Sequence, residues 1–155
     1  MLKIELGNQE IKHVKEFYMH TSQTDVMKYM YRNCLSLEEE IDAFLNQDDT
    51  MIRKVIYVDD CYVGDIWCHS IHETKLCEGL LSCCIFDSSV WNQGVASKSL
   101  MLLLAILKEK GLTSVGAFLY AKNLGSLHVL ENCAFKREKE FEEHGEKAYF
   151  YKKYL

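Results

Sequence analysis

The residues best placed to do chemistry sit in "SSVWNQGVASKSL", residues 88–100. Gly94 and Ala96 stand two apart, Ser97 follows, and an almost unbroken apolar run covers 100–107. Just before the loop comes "LLSCCIF", which reads as a buried strand. A strand, a short Gly loop and a helix leave unpaired N–H groups at the helix start, where the helix dipole adds partial positive charge. That combination binds anions. The loop is no Walker A sequence, because Gly-Lys-Ser/Thr is missing, and GxGxxG is incomplete. Farther on, Asn123, Ser126 and Leu130 fall at i, i+3 and i+7, so they share one helix stripe.

A second cluster, "CHSIHETKLC", gathers Cys68, His69, His72 and Cys77. Its spacing is not one that recurs in structural zinc sites, and Cys68 reads as a strand residue with the histidines flanking a turn. No metal is therefore expected.

The elements that must position these groups follow from periodicity and turn chemistry. "LKIEL" (2–6) alternates as a strand, and 8–20 has helical spacing. A second helical stretch covers about 23–31. Ser36 and Glu39 form a capping box that opens a third helix over 36–47. "RKVIYVDD" and "YVGDIWCHSI" are two strands turning near Asp59–Asp60. Residues 77–86 form a central strand apolar on both faces. The helix after the Gly loop runs over about 96–110, and Gly111 ends it. A strand over 113–121, a helix over 123–133 and a closing hairpin around His144–Gly145 complete an α+β order, β-α-α-α-β-β-β-α-β-α-β-β.

With 155 residues, no proline and no linker-like stretch, the chain is expected to form one domain, 1–155. Hydrophobic residues make 48% and charged residues 26%, as in ordinary globular proteins. The longest apolar run is far shorter than the ~20 residues that span a bilayer, and the first ten residues lack an apolar signal core. A cytoplasmic protein with no membrane partner is the expectation. The seven cysteines are odd in number and show no CxxC spacing, so they read as small hydrophobes in strands.

The net charge of −5 lies wholly in residues 1–50, which hold ten acids and five bases. A nucleic-acid binder shows the opposite, a basic stripe, so no direct nucleic-acid partner is expected. The excess is either a solvated helix face, mainly "LEEEID", or a wall that attracts cationic substrates.

"CIFDSSVWNQGVASKSL" resembles motif A of the GNAT superfamily of acetyl-CoA-dependent N-acetyltransferases, written R/Q-x-x-G-x-G/A. "NLGSLHVLENCAF" resembles the motif that follows it, Asn-x-x-Ser/Ala ending in Gly-Phe, and Gly64 fits the family's glycine in the second hairpin strand. The spacing is most similar to the ribosomal-protein N-terminal acetyltransferase branch. The resemblance covers about 55–155 well and 1–50 only in element order. Trp91 departs from the Arg or Gln of motif A, and Ala134 from the Gly before Phe135.

The resemblance implies a mixed, mostly antiparallel sheet of six to seven strands with helices on both faces and a splayed central parallel pair. Acetyl-CoA is the implied co-substrate. Its pantetheine arm is expected against the backbone of Cys84, Ile85 and Phe86. Its pyrophosphate is expected on the N–H groups of Asn92, Gln93, Gly94, Val95, Ala96 and Ser97, with Asn123 and Ser126 as further polar contacts. The acceptor would be a small cationic amine or a protein N-terminus, and the protein a monomer or homodimer.

Acetyl transfer to an amine requires loss of an amine proton, a held carbonyl and a stabilised thiolate. Some family members use a Tyr seven residues after the Asn, here Leu130, or a Glu five residues before it, here Phe118, and neither can titrate. Substitute candidates are Glu78, Tyr120, Tyr149, Tyr151 and His128. A Cys83 or Cys84 acyl-enzyme and direct attack in a ternary complex are the two routes. Three functions stand side by side: an active N-acetyltransferase, a non-catalytic coenzyme A-binding module, and a related fold using another acyl donor or acting on transfer RNA.

Overall fold

The computed structural model describes residues 1–22 and 35–155. The helical stretch expected over 23–31 lies outside the described residues. The strands are β1 (Ile4–Asn8), β2 (Ile52–Val58), β3 (Cys61–His69), β4 (Leu80–Ile85), β5 (Ser114–Tyr120), β6 (Lys136–Glu143) and β7 (Glu146–Tyr154). The helices among the described residues are α1 (Ile11–Thr21), α2 (Leu37–Leu45), α3 (Val95–Glu109) and α4 (Leu124–Asn132). The central strand thus starts at Leu80, and 77–79 belong to the loop before it.

One seven-stranded sheet runs β1-β2-β3-β4-β5-β7-β6. Every neighbouring pair is antiparallel except β4 and β5. The fold class expected from sequence is the one found. The hairpin turns fall where read: Asp59 and Asp60 take φ of 49° and 68°, and His144 and Gly145 take 52° and 77°. Two consecutive positive φ values give the backbone twist that joins antiparallel strands tightly.

Helices cover both faces. Below α3 and α4 lies the main core, with Leu103, Leu107 and Val115 fully buried beside Ile56, Ile66, Tyr149 and Tyr151. Burying Leu100, Leu103, Leu104 and Leu107 stabilises α3 by roughly 1.5–3 kcal/mol per side chain. The other face carries α1, whose Phe17 meets Trp67 and Phe86 edge-on at 6.2 Å each, and α2 packs on α1. Ser36 and Glu39 form the expected capping box at the start of α2.

Under α1 an ion pair ties β2 to β3. Arg53 donates from Nε and Nη2 to Asp65 Oδ2, both at 2.8 Å, and the Tyr62 hydroxyl donates to Oδ1. Asp65 is fully buried. Burial pushes its carboxyl up, opposed by the charge of Arg53, and burial likewise pushes the Tyr62 hydroxyl up. The guanidinium also lies 4.2 Å over Trp67 and 4.8 Å over Phe17. Nothing in the sequence pattern singled out this network, because its members converge only through strand pairing.

Candidate active site

The parallel strands part almost as soon as they meet. Gly116 N–H donates to Gly79 O at 3.0 Å, Leu80 and Gly116 are the one paired position, and beyond them β4 and β5 diverge. A strand alternates the side to which its N–H and C=O groups point. Gly79 O points to β5, and Phe86 N–H is spent on Val63 O of β3 at 2.9 Å. Odd-numbered β4 residues therefore turn their backbone into the gap, and even-numbered ones turn it to β3. Of the three residues expected to meet pantetheine, Ile85 faces the gap, whereas Cys84 and Phe86 do not. Cys83 does, and the sequence reading placed it only among the thiols.

Gly64 lets β3 and β4 come this close. A Cβ built there would lie 2.2 Å from Cys84 O and 2.7 Å from Ile85 Cα, both backbone atoms. The glycine is required by close approach, since its register partner is Ile85 itself.

The loop after β4 is stapled by side-chain hydrogen bonds. Asp87 Oδ1 accepts from Ser89 N–H at 3.0 Å and from Ser89 Oγ at 2.6 Å. Gln93 Nε2 donates to Ser89 O and Trp91 Nε1 to Ile85 O, both at 2.8 Å. Asn92 and Gly94 take φ of 61° and 80°, and Gly94 is the N-cap of α3. The first N–H of the helix to find a main-chain carbonyl is that of Lys98, on Gly94 O at 3.0 Å. Those of Val95, Ala96 and Ser97 are left at the positive end of the helix. Val95 anchors this end, 2% exposed. Asn123 caps α4, its Oδ1 accepting from Ser126 N–H at 3.2 Å, so its Nδ2 is the atom left to meet a ligand.

The acid–base candidates separate by position. Glu78 lies in the loop before β4, not on the strand, and its carboxylate accepts from the Thr113 N–H and, at 2.9 Å, from the Thr113 hydroxyl. It sits at the end where β4 and β5 meet, away from where they part. The backbone donor holds its carboxyl below the usual range, followed by the hydroxyl. Tyr151 has its hydroxyl engaged by Arg137 at 3.3 Å and by Glu131 Oε1 at 3.1 Å, and Tyr149 lies under the Arg137 guanidinium at 3.7 Å. Both face the core below α3 and α4. His128 is exposed on α4. Tyr120, half-buried, ends β5 beyond the parting, on the opposite face from Ala117 and Leu119. Cys84 is buried and its thiol is pushed up to about 12 by that burial. Cys83 has an exposed side chain, and desolvation pushes its thiol up as well. Neither is a ready thiolate.

In the second cluster, Cys68 is fully buried and Cys77 Sγ donates to Gly79 O at 3.2 Å. His69 pairs with Ser70 Oγ at 3.0 Å. Among the described residues, no three or more His, Cys, Asp or Glu converge as metal ligands.

A parted parallel pair beside a Gly-loop helix start is the arrangement of one fold family, and residues 4–136 match the family model described as an acetyltransferase (GNAT) domain. The chain belongs to the GNAT acetyltransferases. It is thus an acetyl-CoA-dependent N-acetyltransferase by family. None of the curated proteins matches the chain. A domain from Methanocaldococcus jannaschii has the same fold at TM-score 0.84 and 19% identity, with 100% of both chains covered. RimL, a ribosomal-protein α-N-acetyltransferase solved with coenzyme A, matches at 0.83 and 17% identity, covering 98% of this GNAT chain and 94% of its own. A chimera of the Vibrio cholerae spermidine N-acetyltransferase matches at 0.77 and 15%, covering 97% and 93%. No described helix is long and apolar enough to cross a membrane.

Proposed function

We propose that this GNAT domain moves an acetyl group from acetyl-CoA to a primary amine by direct attack in a ternary complex. The observation that carries the reading is the parting of β4 and β5 after Leu80 and Gly116, with unpaired strand amides on one side and the α3 start at its mouth. The N–H groups of Val95, Ala96 and Ser97 suit the coenzyme's pyrophosphate, and Asn123 Nδ2, left over by the cap of α4, suits a further polar contact to the coenzyme. In the gap, the Cys83 and Ile85 backbones suit the pantetheine amides, and a strand N–H there polarises the thioester carbonyl. RimL with coenzyme A supports this use of the fold.

The amine nitrogen attacks the carbonyl carbon and loses a proton, the C–S bond breaks, and the sulfur leaves as thiolate and takes up a proton. Positioning alone supplies several kcal/mol of such a step. Tyr120 is the titratable candidate at the open end of β5, so its hydroxyl is assigned to protonate the leaving sulfur. Raised thiols at Cys83 and Cys84 weigh against an acyl-enzyme. The acceptor amine is cationic in solution, and the exposed Glu38, Glu39 and Asp42 of α2 lie on a helix packed against α1, where they would attract it. The spermidine enzyme and RimL act on a polyamine and a protein N-terminus, the two acceptor types expected from sequence.

Thiol release from acetyl-CoA over a panel of amines tests the reading. Amine-dependent release at one coenzyme A per acetylated product is expected. Tight binding of acetyl-CoA without release over the whole panel would make the protein a coenzyme-binding module instead.

A further inference from the structure

The face of the sheet on which the acceptor must arrive carries an apolar feature that the proposed reaction does not use. α3 and α4 cover the other face, and the coenzyme's diphosphate sits on the same side at the start of α3. On β5 the side chains of Val115, Ala117 and Leu119 point into the core under α3. Phe118 therefore points to the opposite face, two residues beyond the last position paired with β4. It is 46% exposed. Its ring packs on Phe150 at 4.8 Å and meets Phe141 edge-on at 5.9 Å. Phe150 is fully buried, so the pad rests on a rigid floor. α1 reaches across β2, β3 and β4 as far as Phe86, on which His20 stacks at 4.2 Å. Among the described residues, no aromatic ring of α1 or α2 packs on Phe118.

On the Phe118 face, the charges that flank the pad are Lys139 and Glu143 of β6 and Glu146 of β7. Glu146 is held by Lys122 at 2.9 Å, and Lys122 leans on the Tyr120 ring at 5.6 Å. The carboxylate of Glu143 lies toward the hairpin tip, and the side chain next to the parting itself is a half-open phenyl ring. An aromatic of this exposure, two residues beyond the point where β4 and β5 part, is a place for an apolar group.

We infer that Phe118 and Phe141 form the acceptor subsite, and that it takes a primary amine carrying a large apolar side chain next to its nitrogen. The inference rests on the acetyltransferase reading and specifies its acceptor. With the amine at the thioester, the side chain lies on the Phe118 ring and removes that ring from water. Two sources share this chemistry: the first residue of a peptide and a free arylalkylamine.

The experiment compares kcat/KM for tetrapeptides with free N-termini beginning Phe, Leu, Gly and Glu, for phenethylamine, and for spermidine. The wild type is expected to prefer Phe or Leu over Gly by about ten-fold, the discrimination typical of an apolar pocket. In Phe118→Ala the Phe-to-Gly ratio should fall toward one, in Phe118→Leu most of it should remain, and Phe141→Ala should lower it partly. Use of both Phe-peptide and phenethylamine, or of the peptide alone, supports the subsite and tells which source is read. An unchanged ratio in a folded Phe118→Ala protein overturns the subsite while leaving the acetyltransferase reading intact. So does a wild type that prefers spermidine or the Glu-first peptide. Absence of thiol release with every amine overturns both.

Discussion

The indole N–H of Trp91 donates to the carbonyl of Ile85 at 2.8 Å. This bond joins the loop that presents the helix-start amides to the last β4 residue whose backbone faces the gap. Trp91 stands where the family motif has Arg or Gln, and here its side chain holds the two halves of the proposed coenzyme site in register. A net protein hydrogen bond is worth about 1 kcal/mol. Trp91→Phe should therefore weaken acetyl-CoA binding about five-fold by calorimetry. An unaltered Kd would show that the bond is incidental to the site.

Gly94 is needed for its backbone angle, not for space. Its φ is 80°, and a Cβ there would meet nothing within 4 Å in the free protein. Gly94→Val should cost about 1–2 kcal/mol of stability from the left-handed conformation alone, and should also weaken coenzyme binding because the Cβ rises beside the amides. Gly94→Asn should regain most of the stability. Equal urea midpoints for Val and Asn would contradict the conformational account.

Gly64 presents the opposite case. Its Cβ would strike Cys84 O and Ile85 Cα, neither of which can swing aside. Gly64→Ala should cost about 3 kcal/mol, the upper end of overpacking, and should disturb the gap by pushing β4. A melting temperature within two degrees or so of the wild type, with normal acetyl-CoA affinity, would show that the strands part more easily than this.

Tyr120 is assigned to the leaving sulfur. Tyr120→Phe should lower kcat by about 10²-fold, the scale of general acid catalysis, with acetyl-CoA still bound. A kcat within a factor of two of the wild type would remove Tyr120 from the chemistry.

Glu78 predicts a pH signature away from the site. Its folded carboxyl is held below the ordinary glutamate value by the Thr113 N–H and hydroxyl. Its contribution is present above that ordinary value, about 4.3, and is lost as pH falls through the lower folded value. The wild-type melting temperature should drop more steeply with acid below about pH 5 than that of Glu78→Gln. Parallel curves would refute the assignment. Catalytic turnover near neutral pH should follow folding in this variant and show no separate loss.

Local chemistry made much of this protein legible in its sequence. The Gly94 turn, the Ser36–Glu39 capping box, the Asp59–Asp60 and His144–Gly145 turns and the Gly111 helix stop each depend on residues within a few positions of one another. Their conformations follow from side-chain size and hydrogen-bonding capacity, so they could be read in order along the chain. The parting of the strands came from the family resemblance, which those local signs supported.

What tertiary structure alone decided concerns which side things face. "LLSCCIF" looks buried on both faces, yet Cys83 is exposed, because β5 leaves β4 after a single paired position. Ile85 rather than Cys84 offers its backbone to the gap, because β3 had already claimed the alternate amides. Glu78, plausible as a base by residue type, lies at the closed end and serves Thr113. Phe118, standing where some family members have a glutamate base, is an exposed ring on the face of β5 opposite Ala117. In each case the outcome depends on pairing between segments distant in sequence, and strand periodicity fixes alternation without saying which alternate set meets solvent.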